Sequence, residues 1–425
     1  MNQIKQGYKQ TKVGIIPENW EVVNFDELKD KTDRHSITGG PFGSDLKSEH
    51  YTSSGVRVIQ LQNIGDGKYI NKEFVYTSEE KANQLKNCLI YPNEIILAKM
   101  AEPVARACLI PSFEDKFLMC SDGIRLLVDK NKFSTKYVLE YINYDLFRKI
   151  AINRSTGSTR GRIGLTDLKT IPLALPPLKE QEKIAEILTI WDEAITKQTE
   201  LLRAKELQKK GLMQKLLSGE VRFDGFSDKW KEVRIDKLFD FKKGQELSKE
   251  KLEKNGIFEC ILYGELYTTY SEVISEIKSK TNIKEGIKSK IDDILIPAST
   301  TTSAIDLAIA STIQKDNVLI GGDINILRKK TNNINGEFIS KYLTHIKKME
   351  IAKYAQGITI IHLYSKDFKH LKIQLPSLPE QQKIAEVLSL ADDEINLLKN
   401  ELEELNLQKK ALMQKLLTGE VRVKV

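Results

Sequence analysis

QKKGLMQKLLSGEVRF, residues 208–223, is written a second time as QKKALMQKLLTGEVRV at 408–423. Only positions 211, 218 and 223 of the first copy differ from the second. The 200-residue spacing extends backwards: LPPLKEQEKIAEIL (175–188) answers LPSLPEQQKIAEVL (375–388), and from Leu175 to Arg222 the copies agree at 27 of 48 positions. A repeat of this kind sets the architecture before any local reading does. Fainter echoes surround it. WEVVNFDEL (20–28) resembles WKEVRIDKL (230–238), KFSTKYVLEYI (132–142) resembles EFISKYLTHIK (337–347), and Asp167 and Lys169 answer Asp367 and Lys369. The chain therefore reads as two tandem units, each a divergent globular segment followed by a retained tail. The boundaries fall at 1–174, 175–219, 220–374 and 375–425.

Each tail opens on a proline-containing LPPL or LPSLP and then an acidic residue, Glu180 or Glu380. Pro379 suits a first helical turn, and an early carboxylate complements the positive helix start. Lys215 or Lys415 near the end, followed by Gly219 or Gly419, marks the stop. Between these signals lies a helix of about 38 residues, roughly 57 Å at the α-helical rise. In the second copy, alternating spacings of four and three link Ile384, Leu388, Ala391, Ile395, Leu398, Leu402, Leu405, Lys409, Leu412 and Leu416. In the first copy, Ile184, Leu188, Trp191, Ile195, Leu202, Leu212 and Leu216 hold the matching seam, interrupted by Gln198, Lys205 and Lys209. Such spacing predicts helices that pair as a coiled coil; the plainer alternative is two long surface helices on separate domains. Helices this long rarely stand alone. If they pair, the second must run back antiparallel to the first, giving a pseudo-two-fold molecule with Val425 near the first globule.

Composition sets outer limits. At 425 residues the chain is too long for one ordinary core, and 40% hydrophobic with 29% charged is a globular balance. No apolar run reaches the ~20 residues of a membrane span, and the N-terminus lacks a signal-peptide pattern. Cys88, Cys108, Cys120 and Cys260 form no CxxC pair, as expected of inert thiols in a reducing cytoplasm. The net charge of +7 permits a polyanionic partner without requiring one.

At the level of head, LPPLxEQxKIAEIL helix, head and LPxLxEQQKIAEVL helix, the whole chain resembles the specificity subunits of Type I restriction–modification systems. GGPFGSDLKSEHYTSSGVRVIQLQNI (39–64), KKGQELSKEKLEKNG (242–256) and YGELYTTY (263–270) resemble that family's target-recognition domains. The resemblance implies an α+β fold in which two target-recognition domains are separated by two long antiparallel helices. It implies a prokaryotic, cytoplasmic chain that reads double-stranded DNA and performs no chemistry. Each domain would read one half of a bipartite, asymmetric target, with the helices setting the gap. Two methyltransferase subunits would dock on it and motor-nuclease restriction subunits would join them. S-adenosylmethionine, ATP and Mg would belong to those partners, with no cofactor in this chain.

Within the heads, VRVIQLQNI (56–64), EIILAKM (94–100), IRLLVD (124–129), DILIPAS (293–299) and NVLIGGDINILRKK (317–330) read as strands, with helices near 134–152 and 338–354. The loop NRSTGSTRGRIG (153–164) is the most DNA-like. Arg154, Arg160 and Arg162 suit guanine or phosphate, and Ser158 and Thr159 suit phosphate oxygens; a solvated surface loop is the plainer reading. Its counterpart, YAQGITIIHLYS (354–365), offers Gln356, Thr359, His362 and Tyr364. Ser44, Lys47, Lys243, Gln245, Ser248 and Lys249 are candidates on two turns at similar depth. Gln60, Gln62 and Asn63 are possible adenine readers, and Thr300 and Thr301 follow a strand.

The sequence offers little support for catalysis. GDGKY at Gly65 lacks P-loop spacing, and Gly157, Gly161 and Gly164 lack the surroundings of a dinucleotide fingerprint. The single double proline is Pro176–Pro177, without the Asn/Asp-Pro-Pro-aromatic motif of an amino-methyltransferase. Five histidines include no HExxH, and Asp292 and Asp293 precede a strand without a following ExK. An enzyme with degenerate motifs and a protein-binding scaffold remain the competing classes. Retained tails beside divergent heads favour an adaptor, because identical tails can meet identical partners while each head reads its own target.

Overall fold

The computed structural model describes residues 4–100, 102–157, 161–245 and 247–425. The chain folds into two compact units. The first comprises residues 1–199 together with 401–425, and the second residues 200–400. Two long helices, Leu178–Ser218 and Leu378–Leu417, each contribute residues to both units.

The first unit is built on two sheets. One runs Ala107–Leu109, Ile95–Ala98, Gly123–Leu126, Ile37–Gly39, antiparallel throughout. The other runs Tyr51–Thr52, Val75–Thr77, Val56–Ile59, Phe117–Met119, Leu89–Ile90, with one parallel pair between Val56–Ile59 and Phe117–Met119. Helices Thr135–Asn143 and Asp145–Asn153 follow, the first started by the Ser134 hydroxyl accepting from Tyr137 N–H. The second unit repeats the plan. Phe239–Lys243, Ile324–Lys329, Asp293–Pro297, Ser311–Ile313 and Val273–Ile274 form one sheet, and Ser279–Thr281, Phe258–Ile261 and Leu319–Ile320 another. Its helices are Gly336–His345 and Lys348–Ala352.

Several predicted strands are shorter than their apolar runs. In 56–64 the strand stops at Ile59 and a 3-10 turn, Leu61–Asn63, follows, because the Asn63 side chain accepts from Gln60 N–H and bends the chain. The 317–330 run is two strands broken at Gly321–Asp323, where Asp323 takes φ +57. Each of the two helical stretches is likewise two helices.

The weak sequence echoes mark equivalent structure. Glu21–Asn24 pairs with Pro172–Leu175 in the first unit as Lys231–Arg234 pairs with Lys372–Leu375 in the second, in the same register. This ribbon carries the chain from the head into the long helix. Trp20 is wholly buried beside it, and its indole donates to Glu180 at 3.3 Å. Trp230 donates to Glu380 at 3.2 Å.

In both units the helix segments run antiparallel. Gln198 meets Glu401, Asp192 meets Lys409 at 2.7 Å and Glu180 meets Arg422 in the first. Lys205 meets Glu394, Lys209 meets Asp392 and Arg222 meets Glu380 in the second. Every aliphatic or aromatic seam residue expected from the spacing is buried or half-buried. The seam lysines, read as interruptions, are each paired to a carboxylate: Lys205 to Glu394, Lys209 to Asp392 and Lys409 to Asp192. Ile184, Leu188, Leu416 and Leu417 join the first core, and Leu216, Leu217, Ile384 and Leu388 the second. Both helices stop as expected, with Gly219 at φ +74 against Trp230 and Gly419 at φ +72 against Trp20.

Candidate nucleic-acid interface

In each head an aspartate at one turn gathers the loops that carry the candidate residues. In the first head this is Asp122, just before the strand Gly123–Leu126. Its carboxylate accepts from Arg162 at 2.6 Å, and its carbonyl accepts from Lys99 N–H. The neighbouring Cys120 carbonyl lies against Gly40, where a Cβ would stand 1.7 Å from the oxygen. Only glycine fits, and in the segment after it Leu46 packs against the cluster of Val56, Val58 and Leu118. Phe42 in that segment is 82% exposed.

Asp323 occupies the same place in the second head. It accepts from Ser299 Oγ at 3.1 Å and pairs with Lys243 at 3.4 Å. Gly244 repeats the close approach, with a Cβ position 1.8 Å from the Gly321 carbonyl oxygen. The segment beyond Gly244 borders a cleft of 1540 Å³ lined by Lys243, Gln245, Ser248, Lys249, Tyr263 and Asp323 among others. Glu250, Glu265 and Glu285 also line it, so the cleft is mixed in charge and not a simple phosphate channel. Ser299 and Thr300 pair in turn with Ile361 and His362, which joins the cleft wall to the 356–362 hairpin.

That hairpin and the loop 156–162 are equivalent at the 200-residue spacing. Thr156 and Arg162 exchange backbone hydrogen bonds at 3.0 and 2.9 Å, as Gln356 and His362 do at 2.8 and 2.7 Å. Gly157 and Gly357 both have positive φ, +106 and +129. The repeat thus reaches the candidate interface with the same closing bonds and glycine turn in both copies, and with different residue types between them.

The candidate residues divide accordingly. Ser44, Lys47, Gln62, Arg162, Lys243, Gln245, Ser248, Lys249, Thr301, Gln356, Thr359 and Tyr364 are exposed, while Gln60 and His362 are half-buried. Ser158, Thr159 and Arg160 lie outside the described residues. Besides Arg162 and Lys243, which pair with the two aspartates, three further candidates are engaged in holding the fold. Asn63 is buried and its amide donates to Ile70 and Lys72 carbonyls, so it shapes the turn and presents nothing to a base. Arg154 donates to the Asp167 carbonyl and Thr170 hydroxyl, fastening the loop to the next helix. Thr300 is buried and shares its hydroxyl with Thr302. Sequence reading missed Asp122 and Asp323. The signal was there as SDGI against GGDI, but the surrounding strands are too divergent to align by eye.

Among the described residues no group of three His, Cys, Asp or Glu is placed to hold a metal ion. Asp293 and Asp292 are ion-paired to Arg328 and Lys329, which gives those carboxylates a structural task. Burial pushes Cys108 up to about 12, and Cys120 and Cys260 up to about 11, which keeps the thiols protonated and unreactive. No helix among the described residues is long and apolar enough to cross a membrane.

Two units of mixed α/β build joined by a repeated helix clamp define a duplicated α/β chain. The chain belongs to the type I restriction modification DNA specificity domain family, whose model matches residues 17–204 and 227–407. It is 26% identical to a chain of Methanocaldococcus jannaschii named as the MjaX specificity subunit of a type I restriction enzyme, over 99% of this chain and 98% of that one. Among solved structures it superimposes on a type I restriction–modification S subunit from M. genitalium with TM-score 0.57 and 20% identity, covering 94% and 96% of the two chains. The HsdS subunit of Thermoanaerobacter tengcongensis gives TM-score 0.50 at 16% identity, over 96% and 98%. At these identities the structural likeness concerns the fold.

Proposed function

We propose that this chain is the DNA-reading adaptor of a type I restriction–modification complex, with no catalysis of its own. Residues 1–174 and 220–374 each read one half of a bipartite asymmetric target. The helices of 175–219 and 375–425 form an antiparallel coiled-coil spacer, pseudo-two-fold symmetric, that sets the gap between half-sites. Two methyltransferase subunits dock on it, restriction subunits join them, and S-adenosylmethionine, ATP and Mg act in those partners. The complex works in the cytoplasm of a prokaryote.

One observation carries the reading. Ile190 and Leu407 are 58% and 57% exposed in the first unit, and Leu390 and Leu207 are 60% and 72% exposed in the second. These are the same two repeat positions, exchanged between helices, so each unit offers the same pair of uncovered aliphatic side chains. Matched apolar surface of this kind supports two copies of one partner. Co-expression with the cognate methyltransferase subunit is expected to give two copies of it per chain, and Leu207→Glu with Leu407→Glu to release both. A one-to-one complex overturns the symmetric docking. Exchanging residues 1–174 for the first head of another family member should change one half of the methylated sequence; a change in both halves refutes the division of labour. Removing four residues within 196–206 should shorten the gap or abolish assembly, and an unchanged gap refutes the spacer.

A further inference from the structure

We propose that the tip of the 356–362 hairpin is a DNA wedge, with Ile358 and its neighbour Ile360 entering the base stack at the half-site of the second head. The proposal rests on reading that head as a DNA reader. Ile358 is 99% exposed, more than any other large apolar side chain among the described residues, and Ile360 is half exposed. Single exposed aliphatic residues are common and by themselves mean nothing. Their mounting distinguishes these two.

The hairpin is closed by the reciprocal Gln356–His362 backbone bonds and turned at Gly357. Its base is a strand paired to Ser299–Thr300. Leu363 behind it is fully buried, donates to the Ala298 carbonyl at 2.9 Å and accepts from the Asn325 amide at 2.9 Å. The His362 ring stacks on Tyr364 at 5.6 Å and 10°, and the Lys366 ammonium lies 5.4 Å from the Tyr364 centroid. Two isoleucines therefore project from a short braced ribbon that also carries an aromatic stack and a cation. The exposed residues Thr301, Thr302 and Ser303 follow the paired strand, with the hydroxyls of Thr302 and Ser303 donating to Asp306. A wedge needs such a base, because unstacking a base step is costly and a pliant loop would fold back instead.

The first head sharpens the contrast. At the equivalent sequence positions it has Ser158 and Arg160 in place of Ile358 and Ile360. By sequence, then, the two heads hold donors and aliphatic side chains respectively at these positions. The second head would then gain part of its selectivity from how readily a step opens, favouring a flexible pyrimidine–purine step at the wedge position.

The test uses the full chain assembled with its methyltransferase subunits. Mapping methylated adenines gives the target, and a second-head exchange identifies its half. Duplexes of that sequence then carry 2-aminopurine at one position at a time. Binding is expected to raise fluorescence severalfold at one step. The I358A/I360A complex should lose that rise and bind the intact duplex roughly ten-fold more weakly, the scale of one lost base-pair discrimination. I358L should keep both. An abasic site at that step should tighten binding by the wild-type complex and leave the variant indifferent. A flat response at every position, or a rise that survives I358A/I360A, overturns the wedge while leaving DNA reading intact. A wild-type complex that binds none of these duplexes overturns the DNA reading and the wedge with it.

Discussion

Arg422 donates from Nε and Nη2 to the two oxygens of Glu180, at 2.6 and 2.7 Å, across 242 residues of chain. Arg222 forms the same fork with Glu380 at 2.8 Å. Both carboxylates are buried and also face an indole N–H, from Trp20 or Trp230. The adjacent Gln181 and Gln381 bind backbone on both sides, accepting from Ser134 or Asn335 N–H and donating to the Pro176 or Pro376 carbonyl. In each unit, the start of one tail copy meets the end of the other. A change at either end of one copy would break a clamp made with its twin, so matching tails are needed for the fold as well as for any partner.

Arg422→Ala should leave Glu180 buried with only the Trp20 indole. Breaking a fully buried pair costs about 3–5 kcal/mol. Arg422 is more than a third exposed, so the expected loss is roughly 2 kcal/mol after screening. Urea unfolding measures it. Arg422→Lys should recover only part, because an ammonium cannot span both oxygens. An unchanged midpoint would show that the clamp contributes nothing.

Glu140 links the first head to the helices, 3.6 Å from Lys409, which also holds Asp192 at 2.7 Å. Burial raises the Glu140 carboxyl above its usual value, with Lys409 opposing and Asp192 adding to the rise. The folded state therefore binds this proton more tightly than the unfolded state. Stability falls as pH rises through the window between the two values, and the penalty stays in force above it. Glu140→Gln should raise Tm at pH 7 and change it less near pH 4. A lower Tm at pH 7 would mean that attraction to Lys409 outweighs burial.

Glu272 in the second unit behaves oppositely. Burial pushes it up, but the His345 hydrogen bond, its own backbone N–H and the charges of His345 and Lys341 win and bring it down to about 2. Its contribution to stability is present above the unfolded value of about 4.3 and is lost as pH falls towards the folded one. His345→Ala should flatten this acid limb between pH 5 and 2, followed by denaturant midpoint. A limb as steep as that of the unaltered protein would assign it to other carboxylates.

Glycines allow a paired test. Gly40→Ala and Gly244→Ala would drive a Cβ into the backbone carbonyls of Cys120 and Gly321, atoms that cannot swing aside. Each should cost roughly 2–4 kcal/mol, in the range of overpacked and strained sites. Gly211 has open space around it, and Ala411 holds the equivalent position of the second copy. Gly211→Ala should therefore stabilise by about 0.5–1 kcal/mol through helix propensity. Calorimetric Tm values rank all three.

The seam from Ile184 to Leu216, its twin from Ile384 to Leu416 and the glycine stops were legible because helical periodicity and left-handed turns are local properties written in adjacent residues. The same holds for the two-unit plan, since a repeat needs no third dimension to be seen. Trp20 and Trp230 were marked, and so were Glu180 and Glu380, but as helix-start charges and not as the partners of those indoles. Tertiary structure decided what polar groups do. Lys209 and Lys409 looked like gaps in a seam and are ion-paired to Asp392 and Asp192. Asn63 and Arg154 looked like base readers and brace turns. Asp122 and Asp323 drew no notice and organise both loop clusters. A charged or amide side chain is equally suited to water, to DNA and to a buried partner; only the group that folding brings within hydrogen-bond distance selects among them.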